Sequence, residues 1–204
     1  RVGITHGDIN GIGYEVILKT FSDIRIADLC TPIIYGSSKI AAYHRKVLEM
    51  QPVNISVINQ AEDAGVNRIN IINCADEESK VELGKSTEIA GEAAFKALEA
   101  ACNDLKRGVI DVLVTAPINK HNIQNDQFHF PGHTEYLEEV FGVSGKKALM
   151  ILMSNNLRVA LVTGHLPLSE VVQNITKEDI KSKLSVFNQS LKQDFGIIKP
   201  RIAV

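Results

Sequence analysis

Apolar residues fall along this chain in two patterns, short β-branched runs and longer stretches in which every third or fourth position is apolar. The first pattern predicts strands at Arg1–Thr5, Pro32–Tyr35, Ile55–Ile58, Ile69–Asn73, Ile110–Thr115, Ala148–Met153, Arg158–Thr163 and Pro200–Val204, most of them buried. The second predicts a long helix from about Thr87 to Lys106, where Ile89, Ala90, Ala93, Ala94, Ala97, Leu98, Ala101 and Leu105 form one stripe. Gly108 supplies its stop. Another helix runs from Lys177 to about Asp194, capped by Thr176, with Glu178 and Asp179 at its positive end and Ile180, Leu184, Phe187 and Leu191 facing inward. Shorter helices are expected at Glu15–Thr20, Ser38–Glu49 and Glu135–Phe141. Such alternation predicts the α/β class, with β-α-β units around a largely parallel sheet. The polar stretch Asp76–Ser86 is the best place for a surface excursion between two lobes.

Composition narrows the function. With 204 residues, 45% of them hydrophobic, the chain can bury a substantial core as one large domain or two small ones. The formal charge of −2 leaves no electrostatic footprint for nucleic acid, and the absence of Trp argues against a base-stacking platform. No apolar run approaches the roughly 20 residues of a membrane span, so no membrane partner is expected. Cys30, Cys74 and Cys102 form no close pair and read as reduced thiols, which points to the cytoplasm. Arg1 already lies inside an apolar run and Arg201–Val204 reads as a strand cut short, so a fragment is expected.

Ligands of open α/β sheets bind beyond the carboxyl ends of strands, and four loops there carry unusual residues. Thr5–Gly13 is glycine-rich but fits neither the dinucleotide G-x-G-x-x-G nor a Walker A loop. Its glycines either let backbone N–H groups approach an anion or only make a tight turn. Thr115–Lys120 offers an amide and an ammonium, Lys120 being either an anion ligand or a solvated lysine. In Phe130–Glu135, Thr134 suits the N-cap of the next helix, but capping gives no reason for His133 beside it. An imidazole at a helix N-terminus is well placed to meet an anion. In Ala160–Leu168, a strand runs into His165, whose neutral ring would suit zinc or a similar metal. One histidine makes no site, and no H-E-x-x-H or close His/Cys pairing completes it. His44, in a helix rich in polar residues, reads as a surface residue, and no G-x-S-x-G nucleophile elbow occurs.

In order along the chain, Thr5–Glu15, Thr115–Lys120, Phe130–Glu135 and Leu157–Leu168 resemble four motifs of the 4-hydroxythreonine-4-phosphate dehydrogenase family of vitamin B6 biosynthesis. Those motifs run T-P-G-D-P-A-G-I-G-P-E, T-G/A-P-x-x-K, F-x-G-H-T-E and L-R-V-A-L-x-T-x-H-L-P-L. The resemblance implies an isocitrate/isopropylmalate dehydrogenase-like α/β/α fold, two-lobed in the complete protein, of which residues 1–204 are an incomplete domain lacking the C-terminal portion. It implies NAD, a divalent metal (zinc, magnesium, cobalt or manganese), and a homodimer with active sites at the subunit interface. By motif position, His133 and Thr134 match a substrate-binding pair and His165 the first of three metal-binding histidines, while the other two belong to family segments not found in this sequence. His6, Ile9, Asn10 and Tyr14 depart from the first motif, and Ala116 and Asn119 vary the second.

The implied reaction oxidises 4-phosphooxy-L-threonine with NAD and then releases carbon dioxide, giving 3-amino-2-oxopropyl phosphate for pyridoxal 5'-phosphate biosynthesis. His133, as an imidazolium, would also offset the charge of the phosphorylated substrate. Two alternatives stand beside it, a D-threonate or D-erythronate 4-phosphate dehydrogenase and a non-catalytic binding or assembly module.

Overall fold

Four residues of β1 (Val2–Thr5) lie between β2 (Pro32–Gly36) and β5 (Val112–Thr115), both parallel to it, with Thr5 level with Tyr35 on one side and Thr115 on the other. Beyond β2 come β4 (Ile69–Asn73) and β3 (Ile55–Ile58), giving the order β3-β4-β2-β1-β5. This computed structural model describes residues 1–74, 79–142 and 148–204. Its chain divides into two units, Arg1–Phe141 and Gly142–Val204.

In the first unit the parallel sheet is covered by helices, which is why its strands read as unbroken apolar runs. Ile33, Ile34, Tyr35, Ile69 and Ile71 are all buried. Between the strands run α1 (Gly13–Phe21), α2 (Ile26–Leu29), α3 (Ser38–Val47) and α4 (Glu88–Lys106). α4 packs on β1, β2 and β5 through Ala90, Ala93, Ala94, Ala97 and Ala101, small residues that admit close approach. Side-chain caps start two of these helices: Ser37 Oγ accepts from the Ile40 N–H of α3, and Thr87 Oγ1 from the Ala90 N–H of α4. The unit ends in α5 (His133–Phe141), whose Tyr136 joins Phe95, Leu98, Ile123 and Phe128 in a second buried cluster.

The expected surface position of His44 is wrong. It is 3% exposed, because its Nε2 meets the Ile9 carbonyl oxygen at 2.8 Å and its ring stacks on Tyr14. A polar helix face hid a partner 35 residues away. Of the polar stretch 76–86, residues 76–78 lie outside the described residues, and 79–86 belong to the first unit.

The second unit contains β6 (Ile151–Ser154), β7 (Leu157–Ala160), α6 (Leu168–Val171) and α7 (Lys177–Gln193). β6 and β7 pair antiparallel, turning through Asn155 in the left-handed region (φ 44°). The two buried strands expected here are a short, exposed hairpin instead, with Leu152 at 56% and Leu157 at 65% exposure. Apolar runs of this length do not reveal whether a second layer covers them. Pro200–Val204 also forms no strand, having no ladder partner. α7 appears as expected, with Thr176 Oγ1 accepting from the Asp179 N–H at 3.1 Å. No helix among the described residues is long and apolar enough to cross a membrane.

Candidate functional site

From β1 the chain crosses to β2 on one side, while β5 lies on the other, so the strand order reverses between β1 and β5. In open α/β sheets the crevice at such a reversal holds the ligand. Here it is formed by the loops after Thr5 and Thr115.

The glycine-rich loop after β1 is filled by its own side chains. Gly7 turns the chain in the left-handed region (φ +70°), and a Cβ there would stand 2.3 Å from the Pro117 carbonyl oxygen. That contact lets the Asp8 N–H donate to Pro117 at 2.9 Å, joining the two loops. Asp8 is buried, with Oδ1 accepting from the Asn10 N–H and Oδ2 from the Asn122 side chain at 3.2 Å. Asn10 in turn donates to the Lys85 carbonyl and Thr87 Oγ1, and accepts from the Glu82 N–H. Residues 82–87 are thereby fastened to the loop rather than left as an excursion. Tight packing explains the glycines without an anion.

Of the four departures from the family motif in this loop, His6, Ile9 and Tyr14 gather around one buried stack, while Asn10 bonds outward to residues 82–87. Tyr14 stacks on His6 and on His44 with centroids 5.2 Å apart in each case, and its hydroxyl accepts from the Ser37 N–H. Ile9 and Asn10 are buried beside them. His6 is fully buried with neither ring nitrogen in a well-formed hydrogen bond, and burial lowers its pKa to about 4.

After β5, the Asn119 side chain accepts from the His121 N–H and donates to Ser86, fixing the turn that presents Lys120. Gln124 donates to two carbonyls, Lys120 at 3.2 Å and Phe130 at 2.9 Å, and so ties this turn to the approach to α5. Phe130 and Tyr136 pack on Phe128 and flank the start of α5 from either side in sequence. Between them lie Gly132 and His133. A Cβ at Gly132 would stand 3.6 Å from Lys120 Cε and 3.9 Å from its Nζ, so the lysine stem crosses over the glycine.

His133 is half-buried, and its Nε2 is buried without a partner among the described residues. Burial foremost, and then the positive charge of Lys120, lower its pKa. The imidazolium expected from sequence is therefore disfavoured. The neutral ring is the favoured form, and the cation beside it is Lys120. Thr134 is also placed differently from expectation: α5 already begins at His133, so Thr134 is an exposed residue of the first turn and not a cap ahead of it.

His165 belongs to the second unit. It lies five residues beyond β7, exposed, in the left-handed region (φ 55°), where a residue with a Cβ is strained by about 1 kcal/mol. No group of three or more His, Cys, Asp or Glu side chains among the described residues could hold a metal ion. The donors of the described residues alone do not fit a metal centre. Sequence patterns do not single out Asp8, Asn122 and Gln124. Only the junction of three loops distinguishes them from ordinary polar turn residues.

Residues 28–204 match the family described as pyridoxal phosphate biosynthetic protein PdxA. A 4-hydroxythreonine-4-phosphate dehydrogenase of Bacteroides thetaiotaomicron is 61% identical over the whole chain, which spans 56% of that relative's length. A D-threonate 4-phosphate dehydrogenase of Cupriavidus necator is 32% identical, the chain again spanning 60% of it. Among solved structures, a 4-hydroxythreonine-4-phosphate dehydrogenase of Burkholderia phymatum matches 98% of the chain and 60% of its own, with a TM-score of 0.84 at 28% identity. The fold is thus of the isocitrate/isopropylmalate dehydrogenase-like α/β class.

Proposed function

The chain belongs to the PdxA family of pyridoxal phosphate biosynthetic proteins, and on that premise we propose that the complete protein oxidises and decarboxylates 4-phosphooxy-L-threonine. The observation that carries this reading is the 61% identity, over every residue of the chain, to a dehydrogenase so named. In the proposed reaction the carbinol would lose its C–H hydrogen as hydride, with NAD as the acceptor, and its hydroxyl proton would be released. The resulting β-keto acid loses carbon dioxide, and protonation gives 3-amino-2-oxopropyl phosphate. We further propose a cytoplasmic homodimer with active sites at its subunit interface.

His133 and Thr134 orient the substrate. Both stand in the first turn of α5, where free N–H groups favour an anion, and the unpartnered Nε2 of His133 is available to a substrate oxygen. His165 is proposed as one ligand of a divalent cation. Its strained, exposed position supports that role, since a left-handed residue with a Cβ persists where something requires it.

In the full-length protein, His133→Ala is expected to cost about 1.5–3 kcal/mol of binding, a roughly 10- to 100-fold rise in KM. His165→Ala is expected to raise the metal concentration needed for half-maximal activity. Unchanged NADH production in both variants, at limiting substrate and limiting metal, overturns the assignment. A D-threonate 4-phosphate activity is the second reading, favoured by the relatives of that name at 30% and 32% identity. Turnover of the amino and non-amino substrates, measured side by side, separates the two.

A further inference from the structure

We propose that Lys120 supplies the positive charge of an oxyanion subsite shared with His133, which takes the phosphate or the carboxylate group of the substrate over Gly132. The inference rests on the dehydrogenase reading and deepens it, by moving the charge that neutralises the substrate from the histidine to the lysine.

Three observations converge on it. First, the Lys120 side chain reaches the start of α5, and its Nζ makes no ion pair among the described residues, although Glu135 Oε2 also stands 3.6 Å from where a Gly132 Cβ would lie. Second, Nε2 of His133 is withdrawn from solvent and unpartnered, which costs roughly 1–3 kcal/mol unless a ligand meets it. Third, the two residues are held in register by a dedicated contact. Gln124 bridges the carbonyls of Lys120 and Phe130, so the loop after β5 and the approach to α5 cannot part without breaking two hydrogen bonds.

The arrangement divides the work chemically. A neutral imidazole donates one directional hydrogen bond but no charge, whereas an ammonium on a flexible stem contributes charge without demanding a fixed geometry. Gly132 leaves room for both. A Cβ there would already touch the lysine stem, and a larger side chain would push it away. The negative charge of Glu135 gives the lysine its role: among the described residues, Lys120 is the cation beside that carboxylate that can offset it for an incoming anion.

The test uses the full-length protein with its histidine rings isotopically labelled, the His133 signals being identified by their loss in His133→Ala. Inorganic phosphate and non-phosphorylated 4-hydroxythreonine are titrated separately. One or both should move the His133 signals in the parent protein. Phosphate doing so assigns the subsite to the substrate's phosphate, and 4-hydroxythreonine doing so assigns it to the carboxylate. Lys120→Met should weaken that binding about tenfold or more, as expected for losing one charged contact, and Lys120→Arg should restore most of it. Unmoved His133 signals in the parent protein, or equal affinity in Lys120→Met, overturns the proposal. Turnover is measured on the same preparations. A parent protein that binds as described but makes no NADH overturns the dehydrogenase reading and leaves the subsite standing.

Discussion

In the Arg1–Phe141 unit a five-stranded sheet is covered by helices and three clusters of buried side chains close around it. In the Gly142–Val204 unit, Phe187 and Leu191 are the only buried residues among those described, while Leu152, Met153, Leu157, Leu168 and Val172 are more than half exposed. The difference follows from layering. A parallel strand is buried by the crossover helices its own topology requires, whereas a two-stranded hairpin brings no second layer and is marginal alone. His133 and Lys120 therefore stand on the better-packed frame and His165 on the looser one.

The sharpest way to break this comparison is to add one carbon to each unit. At Gly91 in α4, a Cβ would lie 1.7 Å from the Asn122 carbonyl oxygen and 2.3 Å from its carbon, backbone that cannot step aside. Gly91→Ala is expected to cost about 3 kcal/mol or more in denaturant unfolding. Gly164 in the second unit has nothing within 4 Å, and Gly164→Ala should stay within about 0.5 kcal/mol. Equal effects would mean that the two units do not differ in packing.

Acid gives a slightly smaller expected effect, again in the first unit. A histidine in the unfolded chain takes up its proton near pH 6.5, but buried His6 does so only near pH 4. Above pH 6.5 neither state is protonated. Below it the unfolded state binds a proton that the folded state refuses, so stability falls until the folded value is reached. Over that window the loss is about 3 kcal/mol. His44, whose pKa burial also lowers, adds to it in the same direction. Denaturant midpoints measured from roughly pH 7 down to pH 4 should show this fall, and His6→Gln should flatten it. An unaltered slope in His6→Gln would remove His6 from the explanation.

The smallest effect belongs to the exposed hairpin. Leu152→Lys and Leu157→Lys, each replacing a side chain more than half in solvent, are expected to change stability by no more than about 0.5 kcal/mol. A loss several times larger, read in the same unfolding experiment, would show that this face is covered in the folded protein.

How much of the molecule is legible in its sequence follows the range of the forces involved. Strand and helix identity in the first unit depends on short periods, and in the second unit the cap Thr176 announces itself by a hydroxyl three residues ahead of its target. The hairpin is not legible because Ile151–Ser154 and Leu157–Ala160 are mostly apolar runs of the same length as the buried strand Val2–Thr5, and only the left-handed Asn155 marks the reversal. The burial of His44 escapes the sequence because its acceptor, the Ile9 carbonyl, is far away along the chain. His133 stands out as a histidine that capping does not explain. The lowering of its pKa is not legible, because it depends first on burial within the fold and then on a lysine 13 positions earlier brought alongside by Gln124.

The Asn10 amide holds a last consequence, which concerns synthesis rather than the finished molecule. Its side-chain partner Thr87 lies 77 residues later in the chain. At about 5–20 residues per second, a ribosome needs roughly 4–15 s to deliver that partner after Asn10 itself has been made. During that interval the Ile9 carbonyl can already meet His44, but Asn10 still waits for residues 82–87. The native shape of the loop after β1 is therefore a late event in the birth of the chain, set by the arrival of α4.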